Sequence, residues 1–304
     1  MAALDFGMLA FYKELSAQTP AEFNEWPLDL QREAWNRVCA QFRAPRPAGI
    51  VVSDLETESV KFRLFVPEVA TPKTAVLYFH GGGWVLGGPE THDDMCAEMA
   101  AGAGCAVALV DYRLAPEHRH PAQLEDSLKV WRWMQAQGYD HIIAAGDSAG
   151  GQMSVALALT LKETNLPQLK GLVLIYPVLG ADTETASYLR NAQAPCLTRD
   201  EMIFYLNSFL GPMGSANWRD EKAVPNLALD VSGLPATFIT VAAHDPLYDD
   251  GLIFAEKLKA AGVPYTVREE PELAHSYMRA RNVSLPAKKG FDAIIEALRS
   301  LSQI

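Results

Sequence analysis

From about residue 49 onward, short apolar runs rich in β-branched residues alternate with stretches whose apolar side chains recur every three or four positions. That alternation is how a mostly parallel sheet with helices on both faces is written in sequence. Strands are expected near 49–53, 60–66, 75–80, 105–111, 141–146, 171–176, 236–243 and 264–269. The runs 75–79, 106–110 and 171–176 are continuously apolar instead of alternating. Strands covered on both faces read this way, which puts these three at the centre of the sheet. Pro121 opens a helix carrying Leu124, Leu128, Trp131 and Met134, and the closing segment repeats the pattern with Phe291, Ile294, Ile295 and Leu298. Both should dock against the sheet.

Two stretches break the alternation, residues 1–45 and 180–232, where aromatic residues mix with Gly and Pro and no strand pattern appears. Both are assigned to a cap over the carboxyl ends of the strands, with Phe204, Phe209 and Trp218 as substrate contacts. The expected division is therefore an N-terminal cap segment at 1–45, a first core part at 46–179, a cap insertion at 180–232 and a second core part at 233–304.

Composition changes little in this picture. A chain of 304 residues, 49% hydrophobic and 21% charged, can bury the core of one large α/β domain. A net charge of -11 disfavours a nucleic-acid partner, which needs clustered Lys and Arg. Residues 1–18 carry Asp5, lack a basic opening and space Leu4, Met8, Phe11 and Leu15 helically, so they do not read as a signal peptide. No run approaches the roughly 18 apolar residues of a membrane span, so no stable membrane insertion is expected. Cys39, Cys96, Cys105 and Cys196 show no Cys-x-x-Cys pair and read as reduced core thiols, which fits a cytoplasmic protein without a metal.

The chemistry begins at GDSAGG, residues 146–151, which follows the strand HIIAA and precedes the helical run QMSVALALTLKE. Strand, sharp turn and helix are the context of a nucleophile elbow, with Ser148 at its apex. Glycine is needed at 146 and 150 because strand and helix backbones approach too closely there for a side chain. A serine hydroxyl is a poor nucleophile at neutral pH and needs a base, oriented in turn by a third group. In this fold the acid follows the serine and the histidine comes last. Only His244 and His275 follow residue 148. His275 lies in a loop between the last strand and the last helix and is taken as the base. Asp245, directly after the penultimate strand, is taken as the acid; Asp249 and Asp250 are read as negative charge at the start of the next helix.

HGGGW at 80–84 follows the strand AVLYF, and its glycines let backbone N–H groups approach a substrate. Acyl transfer creates an alkoxide that such donors stabilise, so the oxyanion hole is assigned to the amides of Gly82, Gly83 and Ala149. A phosphate cradle is the rival reading, but no Lys-Ser or Lys-Thr follows. His80 is expected to brace this loop, and Trp84 to line the acyl pocket or to pack under the cap.

HGGGW, DYRLAPE at 111–117, GDSAGG, HDPLYDDG at 244–251 and the late His275, spread over about 80–280, together resemble the hormone-sensitive-lipase-like family of α/β-hydrolases. The resemblance implies an eight-stranded sheet, a helical cap built from both irregular segments, and hydrolysis of short-chain acyl esters through an acyl-enzyme without a cofactor. It gives Asp111, Tyr112, Arg113 and Glu117 a structural part. The expected partner is a small acyl ester, with a homodimer as an allowed assembly. Many relatives have Gly-Phe where Ser276 and Tyr277 stand, and a glycine near Ala243 and His244, which bears on the pocket floor. The alternatives are a ligand receptor on the same fold, an amide or lactone hydrolase with the same triad, and a lipase acting at a lipid surface. Receptors of this family lack the catalytic histidine, whereas His275 is present here.

Overall fold

The computed structural model describes residues 2–303, so Met1 and Ile304, the ends of the first and last expected segments, lie outside the described residues. Eight strands form one sheet: β1 (Ile50–Thr57), β2 (Val60–Pro67), β3 (Thr74–Phe79), β4 (Ala106–Asp111), β5 (His141–Asp147), β6 (Gly171–Ile175), β7 (Thr237–His244) and β8 (Tyr265–Ala274). Their order is β1-β2-β4-β3-β5-β6-β7-β8. β2 is antiparallel to both its neighbours, and every pairing from β4 to β8 is parallel. The continuously apolar runs form β3, β4 and β6, all interior to the sheet, as their lack of alternation requires.

Nine α-helices accompany the sheet among the described residues: α1 (Phe6–Ser16), α2 (Leu28–Gln41), α3 (Pro89–Ala103), α4 (Ala122–Ala136), α5 (Ala149–Glu163), α6 (Ala186–Arg190), α7 (Arg199–Leu210), α8 (Tyr248–Ala260) and α9 (Leu285–Leu301). Alternate residues of β3 feed two cores. Ala75, Leu77 and Phe79 pack with α4, α5 and α8, while Val76 and Tyr78 pack with α1, α3 and α9. Period-two alternation along the strand sends the side chains to opposite faces.

β8 runs five residues past its expected end at 269, through Pro271. It is an edge strand, and its ladder to β7 is irregular between Ala242 and His244, so Pro271 is not required to donate in a central ladder. The extension carries the chain to Ala274, bringing His275 beside the end of β7.

Asp249 and Asp250 lie in the first turn of α8, as read from the sequence, but they also bind other parts of the chain. Asp250 accepts hydrogen bonds from the amides of Leu179 and Gly180 at 2.9 and 2.8 Å, where the chain leaves β6. Asp249 accepts from the Ser187 amide at the start of α6. Burial pushes the Asp250 carboxyl up to about 7, against the lowering effect of the two amides. A carboxyl raised in the folded state binds more protons than its unfolded counterpart between the two pKa values, so stability declines as pH rises through that window. The wild-type melting temperature should therefore fall between about pH 4 and 7 more steeply than that of Asp250→Asn. Parallel thermal denaturation curves would refute this.

Candidate active site

β5 ends at Asp147 and α5 begins at Ala149, leaving Ser148 alone in the turn with φ 55° and ψ -117°. Positive φ at a non-glycine residue is strained, and the Ser148 amide bonded to Ile175 O at 2.9 Å helps hold it. The elbow closes because glycines flank it. A Cβ on Gly150 would lie 1.9 Å from Phe79 O, and one on Gly146 would lie 2.4 Å from the backbone of Gly150.

His275 Nε2 lies 3.0 Å from Ser148 Oγ, and its Nδ1 lies 2.7 Å from Asp245 Oδ2. All three are buried. Asp245 Oδ1 accepts from the Leu247 amide at 2.9 Å, and Asn191 Nδ2 donates to the Asp245 carbonyl, so the acid is held from both ends. With Asp245 as acceptor, the ring proton sits on Nδ1 and Nε2 is free to accept the serine proton. His244, the other candidate base, points elsewhere: its Nε2 is 3.0 Å from the carbonyl of Ala2.

Among the described residues, none accepts a hydrogen bond from the amides of Gly82, Gly83 or Ala149. Three vacant donors next to a serine, two of them on glycines at φ +123° and +60°, suit an incoming oxyanion. The loop is braced from behind. Tyr112 donates to His80 O at 2.7 Å and stacks on the His80 ring at 4.1 Å. Burial, reinforced by His92, drives the His80 imidazole down to about 3, which leaves it neutral and unsuited to act as a base. Arg32 of α2 pairs with Glu117 and donates to Val85 O and Ala115 O, tying the N-terminal segment to the loop. Arg113 binds Asp126 and Glu125 on α4, a structural contact.

A cavity of about 540 Å³ opens over the serine. Its wall takes Tyr12, Phe23 and Trp35 from the first irregular segment and Leu197, Met202 and Tyr205 from the second, with Ser148, His275 and Gly81–Gly83. Of the four aromatic residues expected to touch substrate, Trp84 and Phe204 line it. Phe209 and Trp218 do not. Phe209 is buried behind Trp84, its ring stacked 4.0 Å away and 4° from parallel. Trp218 turns its Nε1–H to Gly211 O at 3.0 Å. Cys196 is likewise a cavity residue instead of a core one, although burial raises its thiol well above the usual range. The Tyr205 ring lies where a Cβ on Gly83 would be, at 2.3 Å.

At the floor, Ser276 lines the cavity in a left-handed conformation, while Tyr277 is buried and donates to Thr240 Oγ1. The departures at 243, 244 and 277 therefore fall outside the cavity wall, and only Ser276 reaches it. Asp147 and Arg279 also line the cavity, and sequence reasoning passed over both. The only sequence signal for Asp147 is its place inside GDSAGG, next to the nucleophile. No group of three or more His, Cys, Asp or Glu residues able to hold a metal occurs among the described residues. No helix among them is long and apolar enough to cross a membrane.

A mostly parallel sheet carrying a Ser-His-Asp constellation at a strand-to-helix elbow defines an α/β-hydrolase. The chain belongs to the alpha/beta hydrolase fold family, whose model matches residues 76–279, in the hormone-sensitive-lipase-like branch that its motifs resemble. It is 39% identical over 230 residues to carboxylesterase NlhH of Mycobacterium tuberculosis, covering 72% of this chain and 71% of that protein. It is 32% identical over 265 residues to ethyl acetate hydrolase of Pseudomonas putida, 82% of each chain. A crystal structure of an esterase from the bacterial hormone-sensitive lipase family superposes with a TM-score of 0.89 at 28% identity, over 99% of both chains.

Proposed function

We propose that this chain is a serine-dependent carboxylic-ester hydrolase that cleaves short-chain acyl esters through an acyl-enzyme. The observation that carries this reading is the continuous hydrogen-bonded line from Ser148 Oγ through His275 to Asp245, at 3.0 and 2.7 Å. Ser148 attacks the ester carbonyl as His275 Nε2 takes its proton. The oxyanion accepts from the amides of Gly82, Gly83 and Ala149. His275 then gives the proton to the leaving alkoxide, and water repeats the sequence on the acyl-enzyme. Asp245 keeps the imidazole in the accepting tautomer and offsets the imidazolium charge.

Residues 1–45 and 180–232 act as one cap over the cores at 46–179 and 233–304, a division supported by the side chains that both irregular segments send into the cavity wall. The bulk of Trp84, Phe204 and Tyr205 around a cavity of about 540 Å³ favours a small acyl group. Buried free thiols at Cys39, Cys96 and Cys105 support a reducing, cytoplasmic compartment.

Steady-state hydrolysis of p-nitrophenyl esters from acetyl to dodecanoyl tests the substrate class. Acetyl to hexanoyl esters should turn over with the highest kcat/KM, falling by about tenfold or more at dodecanoyl, since even one methylene that a pocket does not accommodate costs about 1–3 kcal/mol. A rising series, or a jump in rate above the solubility limit of the ester, would favour a lipase and overturn the short-chain reading.

A further inference from the structure

Beneath the glycine loop lies a buried polar cluster that the reaction as written does not use. Asp147, the residue before the nucleophile, accepts at Oδ1 from the Gly81 amide at 3.0 Å and from Tyr78 OH at 2.9 Å. Its carboxylate fills the space beside Gly81, where a Cβ would lie 2.4 Å from Oδ2. His92 on α3 places Nε2 3.3 Å from Asp147 Oδ1 and 3.2 Å from Arg279 Nη2. Arg279 is 8% exposed, sits four residues after His275, and donates through Nη1 to Thr91 O at 2.8 Å.

A guanidinium can only donate, so His92 Nε2 accepts and the ring proton sits on Nδ1, which lies 2.8 Å from Thr91 Oγ1. Burial, together with Arg279, keeps this imidazole below its ordinary range and neutral, while the neighbouring Asp147 pulls the other way. Against its own burial, the Arg279 charge and the Tyr78 hydroxyl hold the Asp147 carboxyl below the usual range. One carboxylate and one guanidinium thus offset each other in an enclosed space, with a neutral ring between them. A buried charge without such compensation is costly.

Given Ser148 as nucleophile and Gly82, Gly83 and Ala149 as oxyanion donors, on which this role rests, we propose that Arg279, as the buried counter-charge of Asp147 held beside it by the His92 ring, is a positioning residue for the oxyanion loop. Arg279 and Asp147 both come within 3.3 Å of His92 Nε2, so the two opposite charges join the His275 loop to the elbow, and the Asp147 bond to the Gly81 amide carries the link to the glycine loop. Without the guanidinium, Asp147 relaxes by taking up a proton or by turning toward the cavity that it lines. Either change weakens the acceptor that holds the Gly81 amide. The next two residues are glycines with no side chain to fix their peptide planes, and a displacement of about 1 Å at a reacting centre costs about a hundredfold in rate.

The test is Arg279→Met and Arg279→Lys in the full chain, assayed with p-nitrophenyl butyrate and with a butyl trifluoromethyl ketone, which adds Ser148 Oγ and creates an oxyanion. For Arg279→Met, kcat should fall about a hundredfold with KM within about twofold, as expected for an interaction made mainly in the transition state. Affinity for the ketone should weaken by the same factor as kcat/KM, and Arg279→Lys should recover part of both. An unchanged kcat in the folded variant would overturn the role, as would a raised KM with kcat intact, which marks a substrate contact instead. If Arg279→Met does not fold, Arg279→Gln, which keeps the polar end group and removes the charge, takes its place with the same expected and opposing results. A phosphonate ester that labels wild type stoichiometrically but not Ser148→Ala supports the underlying site. Failure to label wild type would defeat that assignment, separately from any result at Arg279.

Discussion

Ser148→Ala should lower kcat by about a millionfold, the scale found when the nucleophile of a hydrolytic triad is removed, while leaving the fold intact. The strain at this position belongs to the backbone, φ 55° and ψ -117°, and alanine meets the same strain as serine. The amide bond to Ile175 O and the close packing of Gly146 and Gly150 do not involve the side chain. The hydroxyl has one hydrogen-bond partner among the described residues, His275 Nε2. Removing it leaves an imidazole nitrogen beside a cavity, where water can satisfy it, so the melting temperature should move by only a few degrees. Hydrolysis of p-nitrophenyl butyrate, with thermal unfolding of both proteins, measures the two effects together. A mutant that retains a tenth of the wild-type rate would remove Ser148 from the mechanism.

Much of this site was legible because its chemistry is tied to local backbone form. A serine at a strand-to-helix elbow needs glycines at 146 and 150, and those glycines stand in the sequence beside it. The strands were readable for a related reason: burial on both faces removes the alternation, so β3, β4 and β6 declare their central positions. The cap contacts were far less legible. Trp84, Phe204, Phe209 and Trp218 are alike in composition, yet two line the cavity, Phe209 stacks behind Trp84, and Trp218 turns to the Gly211 carbonyl. Which aromatic face meets the substrate depends on how α7 sits against the glycine loop, and residue type does not encode that distance. The contributions of Tyr12, Phe23 and Trp35 were obscured for the same reason, since they come to the cavity from more than a hundred residues before the serine. Asp147 and Arg279 illustrate a further limit. A carboxylate and a guanidinium separated by 132 residues carry no shared local pattern, and only the fold brings them to the same nitrogen of His92.

Asp245→Asn should reduce kcat by about ten-thousandfold with little change in KM, because it reverses the tautomer of the base. Asp245 uses both oxygens: Oδ1 accepts from the Leu247 amide at 2.9 Å and Oδ2 accepts from His275 Nδ1 at 2.7 Å. An asparagine has one oxygen to offer these two donors. If it serves Leu247, its NH2 group faces Nδ1, which must then accept, and the ring proton moves to Nε2. That nitrogen faces Ser148 Oγ and can no longer take the serine proton. If the amide flips, its NH2 opposes the Leu247 N–H in a buried space, at a cost of about 1–3 kcal/mol for the unsatisfied donor. The first arrangement is therefore favoured, and it is the inactive one. The fold should survive, since the bond from Asn191 to the carbonyl at 245 is made to the backbone and remains. The measurement is kcat and KM for the same ester at pH 7.5, alongside a thermal unfolding curve. A rate within tenfold of wild type would mean that a group other than Asp245 orients His275.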